Sequence, residues 1–293
     1  MQLVVLAAGH GRRFGGLKQL APVGPNGEAI MDYTVATAAA CGFSGVVVVV
    51  REEILAEVQA HAAIHFPANI RVEFAIQGPR RGTAEAVACT APFIDGPFAV
   101  ANADDLYGTD AIAEVIAHFR QASGADSTSE QHVLVGYQLG RTVLTDRKVT
   151  RGLINVSPDG ELVRIVEHGV TLQSDGTFEA IPVGHAALSG PQTPRLLDGT
   201  ERVSMNLWGF HPRIFAALHE ALGESDECNS GNTEMLLPEV IADLVASSRD
   251  HVHVVSTSSR CIGITNPDDF ELVRDELAVL PGATTRVEAP QHA

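Results

Sequence analysis

The chain is short of several things at once. Its four cysteines, Cys41, Cys89, Cys228 and Cys261, stand far apart, without the paired spacing of a zinc site or a redox motif. They read as free thiols of a cytoplasmic protein. Cations are scarce, 20 Lys and Arg against 36 Asp and Glu for a net charge of −16. That balance argues against a nucleic-acid partner, because phosphate-backbone binding depends on clustered positive charge. No hydrophobic run approaches the roughly 20 residues of a membrane span; the most conspicuous, Val46 to Val50, reads as a buried strand. The opening MQLVVLAAGH has no basic segment before its apolar residues and no cleavage site, so no secretory signal is read. Internal repeats are lacking, as is any clear Ser-His-Asp or Cys-His arrangement for nucleophilic catalysis.

What is there is globular. With 293 residues, 45% hydrophobic and 19% charged, the chain can bury most of its apolar surface in one large domain or two small ones. The first half alternates short β-branched runs (Leu3–Leu6, Gly45–Val50, Ile70–Ala75, Phe98–Ala101) with helical stretches (Ile30–Cys41, Glu52–His65, Thr83–Ala91, Asp110–Gln121). Apolar strands separated by helices predict an α/β fold: a Rossmann-like, mostly parallel sheet covered on both faces. Ligands of such sheets sit at the carboxyl ends of the strands, where the loops after the first and fourth strands open.

A polar stretch, Gln121 to Gln131, reads as a surface loop before a strand-rich middle. There the segment from Val149 to His168 predicts two strands joined by a turn at Ser157–Gly160, and Thr171 to Glu201 reads as a less regular excursion. A strand (Val203–Phe210), a helix from His211, helices near Glu234–Ala246 and Asp268–Ala278, and a strand between them complete the pattern. Residues 1–280 are expected to form a single domain, 1–130 handling a nucleotide and 131–280 an acceptor, with 281–293 as a frayed tail.

The segment LAAGHGRRFGGLKQL, Leu6 to Leu20, follows directly on an apolar strand. Gly9 and Gly11 let the backbone turn sharply and present unhindered N–H groups, while Arg13 and Lys18 add positive charge. The natural partner is a polyphosphate. It is not the dinucleotide fingerprint, whose third glycine position holds Phe14, and not the ATP-binding P-loop, since Gln19 stands where a hydroxyl is needed.

Leu6, Ala8, Gly9, Gly11, Arg13 and Lys18 resemble the signature of the nucleotidyltransferases that make nucleoside-diphosphate sugars, and of their cytidylyltransferase relatives. Further segments follow in that family's order. QGPRRGTAEAV resembles its base-recognition segment and implies that Gln77, Gly82 and Thr83 embrace the base. VANADDLYG resembles the strand end whose aspartate binds catalytic Mg2+, which implies Asp104, where the alternative is a carboxylate capping the next helix. GLINV, IVEH and MNLWGF resemble segments lining the sugar pocket and nominate Gly152, Glu167 and Asn206. The late segment CIGITNPDDF departs from the pattern: Gly263 or Thr265 falls where a second metal ligand belongs, with Asn266 and Asp268 beside it.

The resemblance implies a Mg2+-dependent enzyme that joins a nucleoside triphosphate to a sugar 1-phosphate and expels pyrophosphate. Phosphocholine activation with CTP is the alternative within the family, against which the few aromatics speak, since a choline site wants an aromatic box. A nucleotide-binding regulator without turnover is the alternative outside it. Asp105 is expected to cap or support its neighbour, Arg80 and Arg81 either clamp phosphates or are solvated, and His251 and His253 read as a solvated face. Trp208 and Phe210 are core residues first and sugar-stacking residues second.

Overall fold

The computed structural model describes residues 1–9, 17–78, 82–122, 131–184, 193–228, 234–264 and 269–279. Strands β1 (Gln2–Leu6), β2 (Gly45–Val50), β3 (Arg71–Ile76) and β4 (Phe98–Asn102) lie parallel in the order β3-β2-β1-β4. Between them run helices α1 (Ile30–Cys41), α2 (Leu55–His65) and α3 (Thr83–Ala88), and α4 (Thr109–Ala122) follows β4. The valine run of β2 explains itself in this setting. Val46, Val48 and Val50 enter one core with Met31, Val35 and Val58, while Val47 and Val49 enter another with Val87, Val100 and Trp208. Side chains alternate along a strand, so a strand covered on both faces must be apolar throughout.

The second half completes the sheet with antiparallel pairings. Its strands are β6 (His132–Gln138), β7 (Val149–Val156), β8 (Leu162–Leu172), β9 (Phe178–Pro182), β10 (Arg195–Leu197), β11 (Arg202–Phe210) and β12 (Val252–Ser256), accompanied by helices α5 (Ile214–Cys228), α6 (Leu237–Ala246) and α7 (Asp269–Val279). β11 lies antiparallel to both β4 and β6, and β12 lies parallel to β6. Along its other edge β11 has two partners in turn: Val203 and Ser204 pair with β7, and Trp208 to Phe210 pair with β4. A bulge between Ser204 and Trp208 marks the change of partner. From β7 a meander continues through β8 and β9 to β10. A separate two-stranded sheet joins β5 (Asp105–Leu106) to β13 (Ile262–Gly263).

The expected elements are present with shifted ends. The turn at Ser157–Gly160 forms as read, with Gly160 at φ +87° and its N–H donating to the Ser157 carbonyl at 3.0 Å. The stretch from Thr171 to Glu201 holds more order than its sequence suggests, since β9 and β10 lie within it. Short strands at a sheet edge carry too few residues to show a period. Residues 52–54 form a 3-10 turn ahead of α2, and α6 begins at Leu237 rather than Glu234.

Candidate active site

Two loops leave the carboxyl edge of the parallel strands side by side. Leu6, the last residue of β1, lies between Val49 of β2 and Asn102 of β4. The pairing runs one step further, with Ala7 N–H donating to the Val49 carbonyl at 2.9 Å and Ala103 N–H to the Leu6 carbonyl at 3.1 Å. The chain then turns away through Ala8 and Gly9. Gly11 and Arg13 lie outside the described residues. The three carbonyls at this exit are all held by side chains. Gln19 Nε2 donates to Ala7 at 2.6 Å and Gly9 at 2.9 Å, and Arg51 Nε donates to Ala8 at 2.9 Å.

Further along the chain, Lys18 Nζ stands 2.5 Å from Asp104 Oδ2, just beyond the end of β4. A partly exposed pair of this kind adds little to stability. Its importance is placement: positive charge from the first loop meets negative charge from the fourth strand at one point of the crevice. Beside it Asp105 is buried and accepts from Asn102 Nδ2 at 2.8 Å. Burial, reinforced by the Asp104 charge, pushes the Asp105 carboxyl up to about 6, against the pull of that hydrogen bond and of Arg151 and Lys18.

The late segment arrives at the same place. Gly263 pairs with Asp105, and Ile264 N–H donates to the Asp104 carbonyl at 3.0 Å. A Cβ on Gly263 would fall against the Asp105 carboxylate, so position 263 has no room for a liganding side chain while Asp105 stays where it is. Thr265, Asn266 and Asp268 lie outside the described residues. Among the described residues no three His, Cys, Asp or Glu side chains converge to hold a metal. Asp104, with its side chain 37% exposed, nonetheless suits Mg2+, a hard cation that takes one or two protein carboxylates, substrate phosphates and water.

At the end of β3, Gln77 N–H donates to the Val50 carbonyl at 2.8 Å. Its Nε2 donates to the Gly82 carbonyl at 3.0 Å and to Glu85 Oε2 at 3.3 Å. Both partners are acceptors, so the carboxamide orientation is set, and no donor among the described residues meets its oxygen. Gly82 adopts φ +115°, and a Cβ there would run into the Met235 backbone. Thr83 Oγ1 accepts from Leu237 N–H at 2.8 Å and Ala84 N–H donates to the Met235 carbonyl at 3.1 Å, which fastens this turn to the start of α6.

The three nominated acceptor residues lie in neighbouring strands. Gly152 of β7 pairs with Glu167 of β8 on one side and Ser204 of β11 on the other. Asn206 follows in the bulge at φ +60°, a left-handed conformation that asparagine tolerates better than most residues. Its Nδ2 donates to Asn102 Oδ1 at 2.8 Å and its Oδ1 accepts from Trp208 Nε1 at 2.7 Å. The bulge is thereby tied to the strand that leads into Asp104. Trp208 and Phe210 are fully buried, which makes them core. Gln19, Arg51, Asn102 and Tyr107 belong to this region and escape a reading by motif. Asn102 stands inside the quoted VANADD, and Gln19 between Lys18 and Leu20, but nothing in either spelling shows what it touches.

Lys18 thus meets Asp104 at the carboxyl edge of the parallel strands, with the Gly82–Thr83 turn and the antiparallel extension as further parts of the same sheet assembly. Residues 3–227 match the MobA-like NTP transferase domain, and the chain belongs to that family. The fold is shared with a putative glucose-1-phosphate thymidylyltransferase from Bacillus anthracis, with TM-score 0.66 and 14% identity over 94% of each chain. It is shared too with the inositol-1-phosphate CTP transferase from T. maritima, with TM-score 0.63 and 14% identity over 96% of this chain and 97% of that one. No curated protein sequence matches the chain. Among the described residues no helix is long and apolar enough to cross a membrane.

Proposed function

We propose that the chain transfers a nucleoside monophosphate from a nucleoside triphosphate to a sugar 1-phosphate, releasing pyrophosphate and leaving a nucleoside-diphosphate sugar. An oxygen of the acceptor phosphate attacks the α-phosphorus, and the bond from that phosphorus to the β-phosphate oxygen breaks. The nucleophile is already an anion, so no general base is needed. The site's task is to bring two polyanions together. Each pair of like charges about 4 Å apart costs roughly 1 kcal/mol in water and about 4 kcal/mol at an effective dielectric near 20.

The observation that carries this reading is the meeting of Lys18 with Asp104. Lys18 neutralises the reacting phosphates and orients them in the crevice. Arg13 is assigned to the departing pyrophosphate by resemblance. Asp104 would hold Mg2+, which when bound supplies charge neutralisation on phosphate oxygens. Gln77 and the Gly82–Thr83 turn take the base. Gly152, Glu167 and Asn206 take the acceptor. The acceptors named for the two similar folds, glucose 1-phosphate and inositol 1-phosphate, support a small phosphorylated polyol or sugar. The unpaired thiols Cys41, Cys89 and Cys261 support a cytoplasmic setting.

The test is a matrix of the four common nucleoside triphosphates and dTTP against candidate sugar and polyol phosphates, scored by pyrophosphate release with and without Mg2+. One sugar 1-phosphate combination is expected to turn over, and only with the metal. Triphosphate binding that raises the thermal midpoint, with no pyrophosphate from any pair, would instead establish the regulator.

A further inference from the structure

The two asparagines between the acceptor strand and the Asp104 turn have a direction. An indole N–H can only donate, so the atom of Asn206 that faces Trp208 is its oxygen, and the amide nitrogen of Asn206 is the atom that reaches Asn102. That nitrogen donates, so Asn102 meets it with its oxygen and turns its own nitrogen to Asp105. Four side chains thus form one chain of donors, Trp208 to Asn206 to Asn102 to Asp105, with every orientation set from the tryptophan end. A second link runs parallel to it: Tyr107 Oη accepts from Asn102 N–H at 2.8 Å and donates to the Met205 carbonyl at 3.0 Å. Two ties therefore lock the bulge of β11 to the last residue of β4.

Resting on the nucleotidyltransferase reading above, we propose that Asn102 and Trp208 are positioning residues. They hold the Asn206 carboxamide, at its left-handed backbone position, in the single orientation that receives the acceptor. A free carboxamide could turn over and exchange its donor for its acceptor face, whereas this one is fastened at both atoms. The same chain makes acceptor binding sensitive to the turn that carries Asp104, because both ends pull on Asn102. Trp208 is fully buried, so it acts on the acceptor only through Asn206.

Steady-state kinetics on the full chain test this with Trp208→Phe, which removes the N–H and keeps an aromatic ring, and Asn102→Ser. Loss of such an orienting partner lowers activity by about 10–100-fold in metal sites. Here an increase of that order is expected in the KM of the acceptor, with the KM of the triphosphate unchanged. Equal increases in both constants, or none, in the folded variants would overturn the assignment. A second readout needs no turnover. Trp208 is the chain's one tryptophan, so its indole N–H gives a single side-chain signal in 15N-edited NMR. That signal is expected to move in Asn102→Ser, and an identical signal in wild type and variant would overturn the chain of bonds even if no pyrophosphate-releasing pair were found. Absence of release from the wild type, with the signal shifted in the variant, would fault the catalytic reading and leave the network standing.

Discussion

At the scale of single residues, the crevice depends on the contact between Lys18 and Asp104. Lys18→Ala and Asp104→Ala are each expected to lower kcat by about 10²–10³-fold, the usual cost of losing one preorganised electrostatic contact in a transition state. Both variants should keep the wild-type thermal midpoint within a few degrees, because the pair is partly exposed and contributes little to folding. Near-normal pyrophosphate release from either would remove it from the reacting phosphates. Burial of Asp105 makes a separate statement about pH. Its carboxyl is raised to about 6 in the folded state, against about 3.9 unfolded. The folded state then binds the proton more tightly, so this group favours folding at low pH and its contribution is lost as pH rises from about 4 through 6. Asp105→Asn should flatten that part of the stability curve, measured by urea unfolding at pH 4.5 and 7. Leu6, Gln77 and Asp104 were legible as positions beside strand ends because each sits in a contiguous motif, and Lys18 because it belongs to the glycine-rich motif that follows β1. The bond between Asn102 and Asn206 was not. It joins residues 104 positions apart, and only the pairing of β11 with β4 brings them together.

Among elements, the end of the sheet far from the crevice is held by one carboxylate. Asp250, just before β12, accepts from His132 Nε2 at 3.0 Å, from Arg213 Nη2 at 2.9 Å and from His251 N–H at 2.8 Å. It thereby ties the start of β6 to the approach of α5. His132 Nδ1 accepts from His211 N–H at 3.1 Å, so the ring is neutral with its proton on Nε2. Desolvation lowers the His132 pKa, and the His132 and Arg213 hydrogen bonds outweigh burial to hold Asp250 well below the carboxylate range. Both shifts have one sign for stability. The histidine's contribution is present above its unfolded value near 6.5 and the aspartate's above about 3.9, and each is lost as pH falls. Asp250→Asn is expected to cost about 1–3 kcal/mol at pH 7 and to flatten the loss of stability below about pH 4, where the aspartate titrates in the unfolded chain, as read by urea titrations at pH 3 and 7. An unchanged midpoint would show that β6 and α5 do not depend on this tie. The helices and the parallel strands were legible from their periods and from the unbroken valines of β2. β9 and β10 were not, because edge pairing rather than composition makes them strands.

For the molecule as a whole, the boundary expected at residue 130 is crossed by one continuous sheet. β4 borrows its second neighbour, β11, from the other side of that boundary. A fragment ending at residue 130 would expose the open edge of β4 and leave Phe98 and Val100 without the Trp208 and Phe210 side chains that cluster with them. Such edges pair with other chains. The fragment is expected to aggregate on expression, while residues 1–280 stay monodisperse in size-exclusion chromatography; a soluble, folded 1–130 piece would contradict the shared-sheet account. The meander from β7 to β10 is a different matter, since it hangs from β11 strand after strand with none of the parallel core beyond it. Lengthening, trimming or swapping those outer ribbons leaves the threading of the parallel strands untouched.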